Sequence, residues 1–291
     1  METARVDRNQ GNETGVPGPD SRPYVMGESE SEFRRLEMQS AFVRDLTEDV
    51  LKRAGLRPGM RVLDVGSGVG DVALLAGELV GPAGSVLGID RSAAAVKTAE
   101  RRVAQARQQG RIRFAVADLD RFVPDDNFDA IVGRLILMYL PDPSATLRRL
   151  AGHLRPGGIV AFQELSLPSI RSVPDAPQFL KCKSWILETF ERAGFETDMG
   201  GKLFATFLAA GLPAPGMISA GRAEGGDQSP VYAFIAATLQ SLLPAMERAG
   251  VTTADEVGIN DLADRLRAEA VACGACVNFT PFTGAWTNRP A

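Results

Sequence analysis

The sequence predicts an α/β protein in which a mostly parallel sheet carries helices on both faces and a helical cap. Three observations predict it. Short apolar runs alternate with amphipathic segments between residues 61 and 165; the first run passes directly into the glycine-rich turn VLDVGSGVGD at residues 62–71; and beyond residue 165 long helical runs replace the alternation. Parallel neighbours need crossover helices, so strands alternating with helices imply parallel pairing. The chain of 291 residues, 45% hydrophobic and 23% charged, is long enough for one such sheet with additions.

Taken in order, residues 1–22 are rich in Gly, Pro, Asn and Asp, bury little, and are expected to form a disordered tail. From Ser31 to Ala54, residues Phe33, Leu36, Phe42, Leu46, Val50 and Leu51 recur mostly every three or four positions, which predicts an amphipathic helix. GLRPGM is a loop before the first strand, Arg61 to Val65; the glycine turn and a helix to about Val80 follow. SVLGID is a second strand ending at Asp90, and a helix runs from Ser92, its N-cap, to Gln109. RIRFAVAD and FDAIVGR are the third and fourth strands, SATLRRLAGHL is a helix, RPGG breaks the chain, and IVAFQEL is the fifth strand.

After the loop PSIRSVPDAPQ come two helical runs, FLKCKSWILETFERAG and KLFATFLAAG, and a sixth strand within APGMISAGRAEG. Helices follow from Tyr232 to Ala249, interrupted at Pro244, and from Ile259 to Ala272. CVNFTPFTGAWTNRP supplies a last strand with Pro281 at an edge or bulge, making seven. Residues 23–167 are thus expected to hold the N-terminal helices and the core, and residues 168–291 the cap insertions and the last strands of the same sheet. The cap is expected over the mouth of the sheet, where open α/β folds bind ligands.

Charge excludes some functions. A net charge of -4 with scattered Lys and Arg gives no field for a phosphate backbone, so nucleic acid is not an expected partner. With no apolar run of about 18 residues and no signal-like start, neither a membrane partner nor export is expected, and a cytoplasmic protein is. Cys273 and Cys276 form CGAC, but no second pair accompanies them and the one histidine, His153, is remote in sequence; no metal is expected.

The glycine turn narrows the ligand. A P-loop would continue into Lys-Ser or Lys-Thr, which is absent. A dinucleotide turn has its third glycine one place later than Gly70, where this chain has Asp71, a carboxylate facing any pyrophosphate at that helix end. Asp90, ending the second strand, can accept both ribose hydroxyls, and Asp118, ending the third, can accept from an exocyclic amine. Together they describe an adenosine with a zwitterionic tail.

On these residues the sequence resembles the class I S-adenosylmethionine-dependent methyltransferases, in particular their UbiE-like small-molecule group. VLDVGSGVGD, GID, VADLD and LRPGG stand in that family's order and spacing between about Leu56 and Leu167. The resemblance implies a Rossmann-like seven-stranded fold with S-adenosyl-L-methionine as cofactor and S-adenosyl-L-homocysteine as product. It implies that the Gly66, Ser67 and Gly68 backbone meets the methionine part, supported by Asp64; that Asp90 holds the ribose and Arg91 lies along the adenine; that Asp118 and the Leu119 backbone N–H read the adenine; and that the Arg134 carbonyl takes the methionine amine. N-terminal residues close the site in this family, through Tyr24 or Arg35 here.

Methyl transfer from a sulfonium is an in-line displacement that needs a held nucleophile and excluded water. His153 is off the cofactor edge, leaving Tyr139, Gln163 and Glu164 near the strand ends as candidates, with Glu164 expected to contact the acceptor or serve as base. The expected partner is a small, hydrophobic or aromatic acceptor, methylated at O or C, with a homodimer left open. A cyclisation or rearrangement assisted by the sulfonium, a regulator without transfer, and an NAD-dependent oxidoreductase are the competing readings.

Overall fold

The computed structural model describes residues 26, 27, 29–124 and 127–290; the expected tail and Tyr24 lie outside the described residues. The chain opens with α1, Glu30–Ala54, whose N-cap Ser29 accepts from the Glu32 N–H and whose end is closed by Gly55 in the left-handed region. Five strands and three helices follow: β1 Arg61–Val65, α2 Asp71–Val80, β2 Ser85–Asp90, α3 Ala93–Gln105, β3 Ile112–Val116, β4 Phe128–Arg134, α4 Pro143–Ala151 and β5 Leu154–Leu165. Ser92 caps α3 through its side chain, and Asp142 with Pro143 starts α4.

The cap and closing strands comprise β6 Arg171–Val173, α5 Pro177–Arg192, α6 Met199–Ala209, β7 Gly216–Ala220, β8 Ala223–Gly225, α7 Val231–Ala249, α8 Ala254–Val257, α9 Leu262–Cys273, β9 Cys276–Asn278 and β10 Phe282–Asn288. The expected seven-stranded, mostly parallel sheet is present, in the order β3-β2-β1-β4-β5-β10-β7. Strands β1 to β5 pair in parallel, while β10 runs antiparallel to both β5 and β7.

The pleat divides the core into two layers. Val62, Ala130, Val132, Ile159 and Ala161 pack with α2 and α3 residues such as Val72, Leu75 and Val103. Their neighbours Leu63, Val65, Ile131, Val160 and Phe162 face the other way, toward Leu147 and Leu150 of α4 and the aliphatic and aromatic residues of α5 to α7. A sheet buried on both faces explains why its strands read as continuous apolar runs rather than alternating ones.

Four expectations change. Helix α3 ends at Gln105 rather than Gln109, where Arg107 turns to a φ of 54°. RPGG does not break the chain but lies within β5, absorbed by a register shift against Phe128 and Ala130. Helix α7 runs through Pro244 without interruption, because Leu239, Leu242, Ala245 and Met246 around it are buried and hold the helix despite the missing N–H. APGMISAGRAEG and CVNFTPFTGAWTNRP each form two strands rather than one: β7 and β10 join the central sheet, while β8 and β9 join β6 in a separate three-stranded sheet. Pro281 lies between β9 and β10, outside both.

Candidate functional site

The carboxyl ends of β1, β2, β3 and β4 open onto a cavity of about 1240 Å³. This exceeds the roughly 300–1,000 Å³ of a site for one drug-sized ligand, so it has room for two. One half is lined by Gly66, Ser67, Gly68, Asp90, Arg91, Ser92 and Asp118; the other by Phe179, Phe190, Phe234, Phe279 and Phe282.

The glycine turn follows β1 directly, and its three glycines have different reasons to be bare. All three have positive φ. A Cβ on Gly66 would stand 2.7 Å from the Ile136 side chain, and one on Gly70 2.9 Å from Phe114, whereas one on Gly68 would have nothing within 4 Å. Gly66 and Gly70 therefore let the turn nest against its neighbours, and Gly68 presents open backbone to the cavity. Ser67 beside it has a buried Oγ with no protein partner among the described residues. Gly66→Ala is expected to lower stability by about 2–4 kcal/mol, from left-handed strain plus overpacking. Gly68→Ala is expected to cost only about 1–2 kcal/mol, from the strain alone. Thermal denaturation of the two variants checks the contrast, and equal losses would contradict it.

Asp90 lines the cavity with its carboxylate already braced: Oδ2 accepts from the Gly68 N–H at 2.8 Å and Oδ1 from the Ser92 N–H at 2.9 Å. A carboxylate oxygen has two lone pairs, so accepting one N–H does not bar it from accepting a hydroxyl. Arg91, Asp118 and Leu119 also line this half, and Asp118 Oδ1 accepts from the Asp120 N–H, an Asx turn that fixes the loop after β3.

Asp64 is in the layer beneath, not in the wall. It is buried, its Oδ2 has no partner among the described residues, and burial pushes its carboxyl up to about 8 despite the opposing charge of Arg134. Arg134 does line the cavity, where its guanidinium donates to Thr47 Oγ1 at 3.0 Å and pairs with Asp71 at 3.5 Å. Burial lowers the Arg134 pKa. Asp71 is also held by Arg102 at 2.7 Å, so its charge is neutralised, and the glycine spacing rather than bare repulsion sets this turn apart from a dinucleotide turn.

Arg35 stands in the wall as a member of a buried trio from α1. Its Nε and Nη2 donate to the two carboxylate oxygens of Glu32, each at 2.7 Å, and its Nη1 donates to Gln39 Oε1 at 2.7 Å. Glu32 and Gln39 escaped the sequence reading. Their signal was the spacing of 32, 35 and 39, the rhythm of a buried face occupied by polar residues.

Tyr139 lines the cavity, its ring packed edge-on against Phe195 at 5.0 Å. Glu164 does not line it. The pleat turns Glu164 to the face of Val160 and Phe162, where it is fully buried and its Oε1 accepts from the Ile136 N–H at 2.9 Å and the Leu137 N–H at 2.8 Å. Burial pushes its carboxyl up to about 7. It thus pegs the turn whose residues Leu135, Ile136, Met138 and Tyr139 form the wall. The opposite neighbour, Gln163, accepts from Thr47 Oγ1 at 2.7 Å and ties α1 to the sheet. His153 is outside the wall. Among the described residues no cluster of His, Cys, Asp and Glu could hold a metal ion, and no helix is long and apolar enough to cross a membrane.

Comparison with known proteins places this geometry. Residues 56–197 match the family described as a methyltransferase domain. A demethylmenaquinone methyltransferase of Geobacillus kaustophilus is 32% identical over 141 residues, which is 47% of this chain and 60% of the relative. The ubiquinone/menaquinone biosynthesis C-methyltransferase UbiE of Pseudomonas putida is 32% identical over 120 residues, 41% of this chain and 47% of the relative. The chain thus spans about half the length of these curated relatives. A phosphoethanolamine N-methyltransferase 2 of Haemonchus contortus, solved with phosphomonomethylethanolamine and S-adenosylhomocysteine, shares the fold at a TM-score of 0.52 and 17% identity, over 85% of this chain and 53% of that one. Over residues 56–197 the chain is thus similar to a methyltransferase domain and to the UbiE-like methyltransferases that carry one.

Proposed function

We propose that the protein transfers the methyl group of S-adenosylmethionine to a small hydrophobic or aromatic acceptor, at oxygen or carbon, by in-line displacement. One observation carries this reading: a single cavity runs from the braced glycine turn to an aromatic chamber. The open backbone at Gly68 and the unpartnered Ser67 Oγ fit a ligand approaching the turn. The relatives named for demethylmenaquinone and for ubiquinone and menaquinone biosynthesis favour a ring compound as acceptor.

Bound at the turn, the cofactor supplies a methyl group on a sulfonium. The residues of this chain bind and orient. Asp90 would hold the ribose hydroxyls, Arg91 would lie along the adenine, and Asp118 would accept from its amine beside the Leu119 N–H. The Arg134 carbonyl would accept from the methionine amine, and Arg35, steered by Glu32 and Gln39, would close the methionine end. Tyr139 is the wall residue best suited to hydrogen-bond an acceptor oxygen, while Glu164 acts through the backbone it holds. The apolar chamber excludes water, and holding the acceptor against the methyl group supplies much of the rate.

The test is calorimetric titration of the full chain with S-adenosylmethionine and S-adenosylhomocysteine, followed by methyl-label transfer into a metabolite extract. Binding of both and labelling of an apolar ring compound are expected. Failure to bind either ligand overturns the reading.

A further inference from the structure

The cavity wall contributed by residues beyond Glu164 is apolar apart from Thr238 and one charged side chain, Lys183. On α5 the residues Phe179, Lys183, Ile186 and Phe190 follow at spacings of four, three and four, one helical face, and all four line the cavity. The other cations of this helix are engaged elsewhere: Lys181 pairs with Glu256 at 3.0 Å and lies over the Trp185 ring, and Arg192 pairs with Glu188.

Lys183 has no carboxylate within 4 Å among the described residues. Its Nζ donates to the Pro168 carbonyl at 2.7 Å and to the Ile170 carbonyl at 2.5 Å. An ammonium has three N–H donors, so these two bonds fix its position and leave one donor over. Lys183 is half-buried, and burial lowers its pKa. A half-buried cation in an apolar wall with no carboxylate beside it gains from an anion that enters the same space.

We propose that Lys183 is the anion-binding group of the acceptor chamber, so that the acceptor carries an oxyanion, a carboxylate or an ionised phenol or enol oxygen, on an otherwise apolar body. The inference rests on the methyltransferase reading for the word acceptor, and it adds the charge and the residue that reads it. The aromatic residues around Lys183 grip the body, and the ammonium selects its one polar end.

The test uses two probes of one shape, 2-naphthoate and the neutral 2-naphthylmethanol, titrated into the full chain with and without saturating S-adenosylhomocysteine. The wild type is expected to bind the carboxylate more tightly. Lys183→Met should weaken the carboxylate by roughly tenfold or more while leaving the alcohol and S-adenosylhomocysteine unchanged, and Lys183→Arg should retain most of the preference. Parallel weakening of both probes by Lys183→Met would overturn the proposal, since Lys183 would then only staple the carbonyls of Pro168 and Ile170. No effect on the carboxylate, or no binding of either probe to the wild type, would overturn it as well. If S-adenosylhomocysteine alone fails to bind, the methyltransferase reading falls, while the probe pair without it still decides the role of Lys183.

Discussion

Asp90→Ala is expected to weaken S-adenosylhomocysteine binding by about one to two orders of magnitude in a calorimetric titration. A hydrogen bond to a charged group is worth about 1.5–3 kcal/mol, which sets that range. The loss is compounded because both Asp90 oxygens also accept backbone N–H groups, from Gly68 and from Ser92. Alanine leaves those donors without their acceptor and frees the turn the ligand must meet. Asp90→Asn has one acceptor oxygen for two donors on opposite sides, so its loss should fall between wild type and alanine. Unchanged affinity in the alanine variant would refute the ribose assignment.

The second large effect is on stability and its pH dependence. Asp64 has its folded pKa raised to about 8 from 3.8, and Glu164 to about 7 from 4.5, both by burial. Between the unfolded and folded values the native state holds protons that the unfolded state has released. Stability from these groups is therefore full below about pH 4 and falls as pH rises through about 8. A shift of this size corresponds to a few kcal/mol. Asp64→Asn keeps an acceptor oxygen but cannot ionise, so its melting temperature relative to wild type should climb from pH 5 and level off above about pH 8. A constant difference across that range would mean that Asp64 is ionised throughout, matched by Arg134.

The strands were legible because a sheet buried on both faces writes itself as apolar runs, and Ser92 announced its helix by the chemistry of its side chain. The short strands were not. Three residues such as Arg171–Val173 or Ala223–Gly225 carry no periodicity, and only their pairing with Cys276–Asn278 makes them strands. Pro244 misled because local propensity was outweighed by the packing around it. In the site, the sequence located Asp90 and Asp118 at strand ends, since such positions face the crevice by topology. It could not orient Glu164, because Gln163 and Glu164 are adjacent and the pleat sends them to opposite faces. Which face was which depended on a turn 28 residues earlier in the chain, whose Ile136 N–H Glu164 receives. Lys183 was hidden for a related reason: on a helix with several charges, only tertiary packing reveals the one that lines the cavity.

The small sheet β6-β9-β8 draws its strands from three excursions of the chain, one after β5, one after β7 and one before β10. Each excursion begins or ends on a strand of the central sheet, so the ladder works as a clasp closed over loops of different length. The middle strand β9 pairs with both β6 and β8, so pulling it away breaks both ladders and releases all three excursions from one another. The segments that β9 fastens, from Ile170 before β6 to Phe279 after β9, also line the chamber, so its far wall is built from loops tied to one another rather than hung separately.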